Sequence, residues 1–95
     1  MAENHKNREL AALRELLNDY KEIGLPTAVW TEDFHTDGII GHVGKHFVTI
    51  IPGINNGTVF GVFVESNDND SSNDTVNKMH IPLRKIVAVS DGDTT

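Results

Sequence analysis

The side chains with the greatest potential for metal or acid–base chemistry are histidines and carboxylates. Asp33, His35 and Asp37 alternate along the chain, and imidazole with carboxylate is a common ligand set for divalent metal ions. The same residues can instead form a hydrogen-bonded turn. His42 and His46 lie too far apart on a strand to share an ion. We therefore predict no metal site and no cofactor, and a small metal-dependent enzyme centred on residues 33–37 is kept as an alternative function.

The stretch over residues 66–77 is dominated by Asp, Asn and Ser. Its alternating oxygen-bearing side chains, spaced like the first ligands of a calcium loop, are Asp68, Asp70, Ser72 and Asp74. Asn73 replaces the glycine that such a loop needs, and Met79 replaces the closing glutamate. We therefore predict a flexible, solvated loop without a metal ion.

No combination of nucleophile, base and anion-binding loop stands out in the sequence. Residues 41–45, Gly-His-Val-Gly-Lys, partly match a phosphate-binding loop, but His46 replaces the required Ser or Thr and a strand pattern follows. The chain has no cysteine, which excludes thiolate catalysis and cysteine-ligated zinc. We predict that the protein is not an enzyme and has no catalytic residues.

The lone tryptophan, Trp30, lies just before the acidic pair at positions 32–33. An aromatic side chain of this size either completes a core or lines a ligand groove. In the second case Phe34 and His35 are its neighbours in sequence. Trp30, Phe34 and His35 are therefore the candidate groove for a peptide or small-molecule ligand.

The charge balance limits the choice of partners. Fourteen acidic side chains against eight basic ones give a net charge of −6, which disfavours a broad nucleic-acid surface. The basic group Lys78, Arg84 and Lys85 is the candidate contact for RNA or a nucleotide. The sequence shows no export signal and no apolar run long enough to span a bilayer. With no cysteine to form disulfides, we expect a cytoplasmic protein that does not bind a membrane.

The elements that position these residues begin with a helix. Its stripe of apolar side chains at helical spacing consists of Leu10, Leu13, Leu16, Leu17, Tyr20 and Ile23. Gly24 and Pro26 then end the helix, because glycine adopts the left-handed capping conformation and proline prevents continuation. We predict a helix over residues 4–23 that either packs on its own domain or pairs with a partner helix.

From residue 28 onward, β-branched and aromatic residues alternate with turn residues. The predicted strands cover residues 28–31, 39–43, 46–51, 58–65, 78–81 and 86–90. The run at 58–65 is apolar on both faces and contains Gly61, which favours a strand that bends between two sheets of a barrel. Pro82 interrupts the last strands and predicts a short 3₁₀ turn.

Three segments, residues 44–50, 57–64 and 79–89, carry a family resemblance. Following a helix, their order of apolar and turn residues resembles that of Sm-like and SH3-like small β-barrels. The resemblance implies a helix followed by five bent strands. The Arg-Gly pair with which Sm-like proteins bind RNA would fall on Pro82 and Leu83, with Arg84 one or two positions late, so the resemblance does not carry the RNA contacts over.

The sequence thus predicts one domain over residues 1–95. It is mainly β, with the N-terminal helix followed over residues 28–90 by a five- or six-stranded antiparallel SH3-like or Sm-like barrel. Small barrels have open strand edges that accept other chains. We predict a non-enzymatic binding or assembly module that associates with itself and binds a protein partner. An Sm-like RNA- or nucleotide-binding ring is the first alternative.

Overall fold

One helix precedes a region of short antiparallel strands. This computed structural model describes residues 2–55, 57–68 and 73–91, with the backbone alone at residues 2–7, 55 and 73. Helix α1 covers Ala2–Ile23, and the strands are β1 (Thr27–Trp30), β2 (Phe34–Val43), β3 (Phe47–Ile51), β4 (Gly53–Asn55), β5 (Thr58–Phe60), β6 (Val62–Ser66), β7 (Asn73–Val76), β8 (Met79–Pro82) and β9 (Ala88–Asp91). A 3₁₀ turn, Leu83–Lys85, joins β8 to β9. The prediction of a mainly β chain with an N-terminal helix is confirmed.

Helix α1 ends where the glycine and proline predict. Gly24 has a φ of 75°, and its N–H donates a hydrogen bond of 3.0 Å to the carbonyl of Tyr20. Glycine adopts this left-handed backbone without the steric cost that a Cβ would add. The helix begins at Ala2, slightly earlier than the predicted residue 4.

Most of the apolar stripe of α1 packs on the strands of its own chain, but Leu16 and Ile23 are exposed. Leu17 is fully buried in the core, where it joins Val29, Ile50 and other apolar side chains. Leu10, Leu13 and Tyr20 are partly buried against this core. Burial against the domain's own sheet supplies the stability that an isolated helix of this length lacks.

Strand β2 is the centre of the sheet. Its first half pairs with β1 on one side and β6 on the other, and its second half pairs with β3. The sheet continues from β1 to β9, from β6 to β7 and from β3 to β8, always antiparallel. No pairing between described strands joins the outer strands β7, β8 and β9, so the sheet is not closed into a barrel. The described residues also form more strands than the predicted five or six.

Two glycines let β2 bend as it changes partners. A Cβ on Gly38 would lie 2.6 Å from Cγ2 of the fully buried Ile50. Gly41 is the extra residue of a β-bulge between Ile40 and His42, where the register with β3 shifts. Such a bulge bends and twists the strand that carries it. The bend therefore lies in β2, next to the core.

The apolar run predicted as one strand at 58–65 divides at Gly61. β5, before Gly61, pairs with β4, whereas β6, after it, pairs with β2 and β7. A Cβ on Gly61 would clash with Cγ2 of Thr75. Val59 and Phe60 are exposed, so the expected burial of both faces is wrong for the first half of the run. A run of apolar residues does not by itself distinguish a strand buried in the core from a strand whose side chains are exposed.

The acidic loop predicted over 66–77 is shorter in the structure. β6 continues to Ser66, and β7 covers Asn73–Val76 in register with β6. Asp70 and Ser72, two of the alternating oxygen-bearing residues, lie outside the described residues. A segment read as loop from its composition therefore contains an edge strand.

Two fully buried threonines differ in their hydrogen bonds. The hydroxyl of Thr27 donates to the carbonyl of Leu25 at 3.0 Å. Oγ1 of Thr36 has no hydrogen-bond partner among the described residues. Thr36 pairs with Val29 of β1 and with Val64 of β6, so its neighbours across the sheet are apolar. An unpaired hydroxyl in such a place is destabilising.

We predict that Thr36→Val raises the free energy of unfolding by about 1 kcal/mol, because it removes the unpaired hydroxyl and keeps the shape of the side chain. The matched variant Thr27→Val removes a paired hydroxyl and should lower that free energy by about 1 kcal/mol. Urea unfolding of both variants measures the two effects. Effects of the same sign would show that the two hydroxyls do not differ as described.

Candidate functional site

Trp30 and His35 lie together, as the sequence suggests, but Phe34 does not join them. The two rings belong to a cross-strand pair of β1 and β2 and stack with their centroids 4.2 Å apart and their planes at 23°. Phe34 precedes His35 on an extended strand, so its side chain points to the opposite face of the sheet. There it packs against the core. The predicted groove is thus divided between two faces.

Asn67 connects the β1–β2 turn to the end of β6. Its Nδ2 donates to the carbonyls of Thr31 at 2.9 Å and Glu32 at 3.2 Å, and its backbone N–H donates to the carbonyl of Asp33 at 3.0 Å. Its Oδ1 lies 3.0 Å from Nδ1 of His35. Because this amide oxygen can only accept, the bond requires the His35 proton on Nδ1. The hydrogen bonds of Asn67 therefore hold the Trp30–His35 stack against the β1–β2 turn.

In the alternative metal site at Asp33, His35 and Asp37, one ring nitrogen of His35 already takes part in a hydrogen bond. His35 is buried and its Nδ1 bonds to Asn67, while Asp33 is exposed in the turn and Asp37 is buried on β2. Across the described part of the chain, no group of three His, Cys, Asp or Glu side chains is placed to hold a metal ion.

The three candidate basic residues do not form one surface. Arg84 and Lys85 are exposed on the 3₁₀ turn, while Lys78 lies at the other end of β8. The cleft beside the turn is lined by Glu32, Asp33, Phe34, His80, Arg84 and Lys85, among other residues. Two carboxylates therefore accompany two cations in this cleft. This balance provides no net positive field for a phosphate backbone.

The β4–β5 hairpin, which we call the β-arm, is an exposed apolar element. Among the described strands, β4 and β5 pair with each other and with no third strand. Ile54 and Val59 are cross-strand partners and are 74% and 65% exposed. Phe60, opposite Gly53, is 52% exposed. Ile54 and Val59 therefore share one exposed face of the hairpin, and Phe60, the residue after Val59, lies on the other face.

A second apolar surface lies between α1 and the segment 83–89, and we call it the helix groove. Its apolar lining consists of Leu10, Leu13 and Leu16 on the helix and Leu83, Ile86, Val87, Ala88 and Val89 on the opposite wall. Val87 is 62% exposed. Glu9 and Arg84 also line the groove. The helix groove therefore combines apolar side chains with one acidic and one basic residue.

The sequence signal for the β-arm lies in the turn predicted between the strands at 46–51 and 58–65, although the predicted strands do not include residues 53–55. Residues 55–57 are Asn-Asn-Gly, and an Asn-Gly pair between apolar residues is the strongest short-range indication of a β-hairpin. Gly57 has a φ of 80°, as such a turn requires. Exposure of the arm, by contrast, depends on which strands lie nearby in three dimensions.

No protein family model, curated protein or solved structure matches this chain. None of the described helices is long and apolar enough to cross a membrane.

Proposed function

We propose that this chain is a non-enzymatic assembly module that associates with copies of itself and, through its strand edges, binds a protein partner. The observation that supports self-association is the β-arm. A two-stranded hairpin is marginally stable alone in water. Large apolar groups presented together on an exposed element are typical of surfaces that are covered by another chain.

The size of the apolar surface indicates how much free energy the β-arm contributes to association. Burial of one large apolar side chain stabilises by roughly 1.5–3 kcal/mol, and the three on the arm are already partly covered. Burial of all three, on both faces of the arm, therefore supplies roughly 3–5 kcal/mol, while association costs at least about 4 kcal/mol. The arm can drive association only if its partner surface is apolar as well.

The proposal includes a fold of the SH3-like or Sm-like class. Its support is the order of elements: a helix, antiparallel strands around a long bent β2, and a 3₁₀ turn between β8 and β9. The residues between β3 and β8 are then an insertion that carries the β-arm. Open edges at β8 and β9 suit addition of a strand from another chain.

We expect the wild-type protein to sediment as a multiple of its 10.5 kDa chain mass. The double variant Ile54→Thr/Val59→Thr should sediment as a single chain, because threonine keeps the strand preference but removes apolar surface. Analytical ultracentrifugation over a range of concentrations measures both masses.

Phe47→Thr is the control, since Phe47 is likewise a large exposed apolar residue on a strand but lies outside the β-arm. It should leave the assembly intact. Circular dichroism checks that each variant is folded. A wild-type protein that stays a single chain at every concentration would contradict the proposed self-association.

A further inference from the structure

We infer that the β-arm of one copy docks in the helix groove of the next copy, head to tail. This inference rests on the proposed self-association and adds which two surfaces meet. Both surfaces present exposed apolar side chains, Ile54 and Val59 on the β-arm and Leu16 and Val87 in the helix groove, and they belong to different parts of the fold. In an arm-to-arm dimer the helix groove would stay exposed. A head-to-tail contact covers both surfaces in every copy that has two neighbours.

Strand edges support the same arrangement. β9, which contributes Val89 to the helix groove, pairs with β1 along one edge, and no described strand pairs along its other edge. The β-arm also presents unpaired edges on the outer sides of β4 and β5. A hairpin laid beside β9 can continue the sheet by main-chain hydrogen bonds. Its Ile54 and Val59 can then contact the apolar residues of α1.

Charge favours this contact over other faces of the molecule. The chain has a net charge of −6, so two copies repel each other through most orientations. Residues 53–60, Gly-Ile-Asn-Asn-Gly-Thr-Val-Phe, carry no charge. The helix groove offers Glu9 and Arg84, whose charges are opposite. An uncharged arm entering a balanced groove avoids the repulsion between acidic surfaces.

The size of the contact indicates a closed assembly. The β-arm has eight residues, 53–60, and ten described residues line the helix groove. A stable two-chain interface commonly involves about 20–30 residues from each partner. A single arm–groove contact is therefore weak. A head-to-tail ring gives every copy two such contacts and leaves no arm uncovered.

The absence of cysteine from the sequence allows a direct test by crosslinking. Val59→Cys places a thiol on the β-arm, and Val87→Cys places one in the helix groove. The two variants are co-expressed, purified together and treated with a short bis-maleimide. We expect a covalent dimer that contains one copy of each variant, and little product from either variant alone. The double variant Val59→Cys/Val87→Cys should give a ladder of covalent oligomers.

Lys45→Cys is the control partner for Val59→Cys, because Lys45 is exposed in the β2–β3 turn and does not line the helix groove. This pair should not crosslink above the background of random collisions. A strong homodimer of Val59→Cys alone would mean arm-to-arm contact and overturn the inference. Assembly of the wild type without a 59–87 crosslink would also overturn it while leaving the proposed function intact. A wild-type protein that is always a single chain would overturn both.

Discussion

Replacement of Gly38 by valine is expected to lower the free energy of unfolding by about 3 kcal/mol, near the upper end of the usual cost of overpacking. A Cβ at this position would lie 2.6 Å from Cγ2 of Ile50 and 3.0 Å from the carbonyl oxygen of Ile51. Ile50 is fully buried, and the carbonyl belongs to the backbone of β3. Neither neighbour can move without disturbing the core or the β2–β3 pairing. Urea unfolding followed by circular dichroism measures the loss.

Gly57→Ala is the control for this prediction, because, apart from its chain neighbours, no atom of the described residues lies within 4 Å of a Cβ at Gly57. Its φ of 80° makes a side chain unfavourable there, with a cost of about 1 kcal/mol. The two glycines thus separate crowding from backbone strain. A Gly38→Val protein as stable as wild type would show that β2 and β3 do not approach each other closely at this point.

The bend of the sheet shows how far the sequence predicts the fold. The end of the helix at Gly24 and the 3₁₀ turn after Pro82 follow from local backbone preferences, and the sequence locates both. The bent core strand does not follow from such preferences. Gly61 lies inside a predicted strand and is expected to bend it, whereas Gly38 lies in a predicted turn before the strand at 39–43. Which of them lies over the core depends on the pairing of β2 with β3.

The candidate site, too, could be predicted from the sequence only in part. The sequence singles out Trp30 and His35, and in the structure their rings stack. Their cross-strand pairing and the hydrogen bonds of Asn67 to His35 and Thr31 hold the pair in the fold. The β-arm did not stand out, because apolar residues in a strand pattern predict burial, whereas contact of the helix stripe with another chain was one of two alternatives that the sequence left open. Only the position of the neighbouring strands reveals that the side chains of Ile54 and Val59 stay exposed.

The adjacent residues Leu16 and Leu17 allow the core and the proposed interface to be tested separately. Leu17 is fully buried, so Leu17→Ala leaves a cavity under α1 and should lower the free energy of unfolding by about 2–5 kcal/mol. Leu16 is 41% exposed and lines the helix groove. Leu16→Ala should cost about 1 kcal/mol or less.

The effects of the two substitutions on the oligomeric state should have the opposite order to their effects on the free energy of unfolding. Leu16→Ala removes apolar surface from the helix groove and should shift the assembly towards single chains at a concentration where wild type is associated. Leu17→Ala, studied at a temperature where it is still folded, keeps the groove side chains and should assemble nearly as wild type does. Thermal unfolding and sedimentation of the two variants measure both properties. If Leu16→Ala assembled normally and Leu17→Ala did not, the surface that drives association would lie elsewhere on the domain.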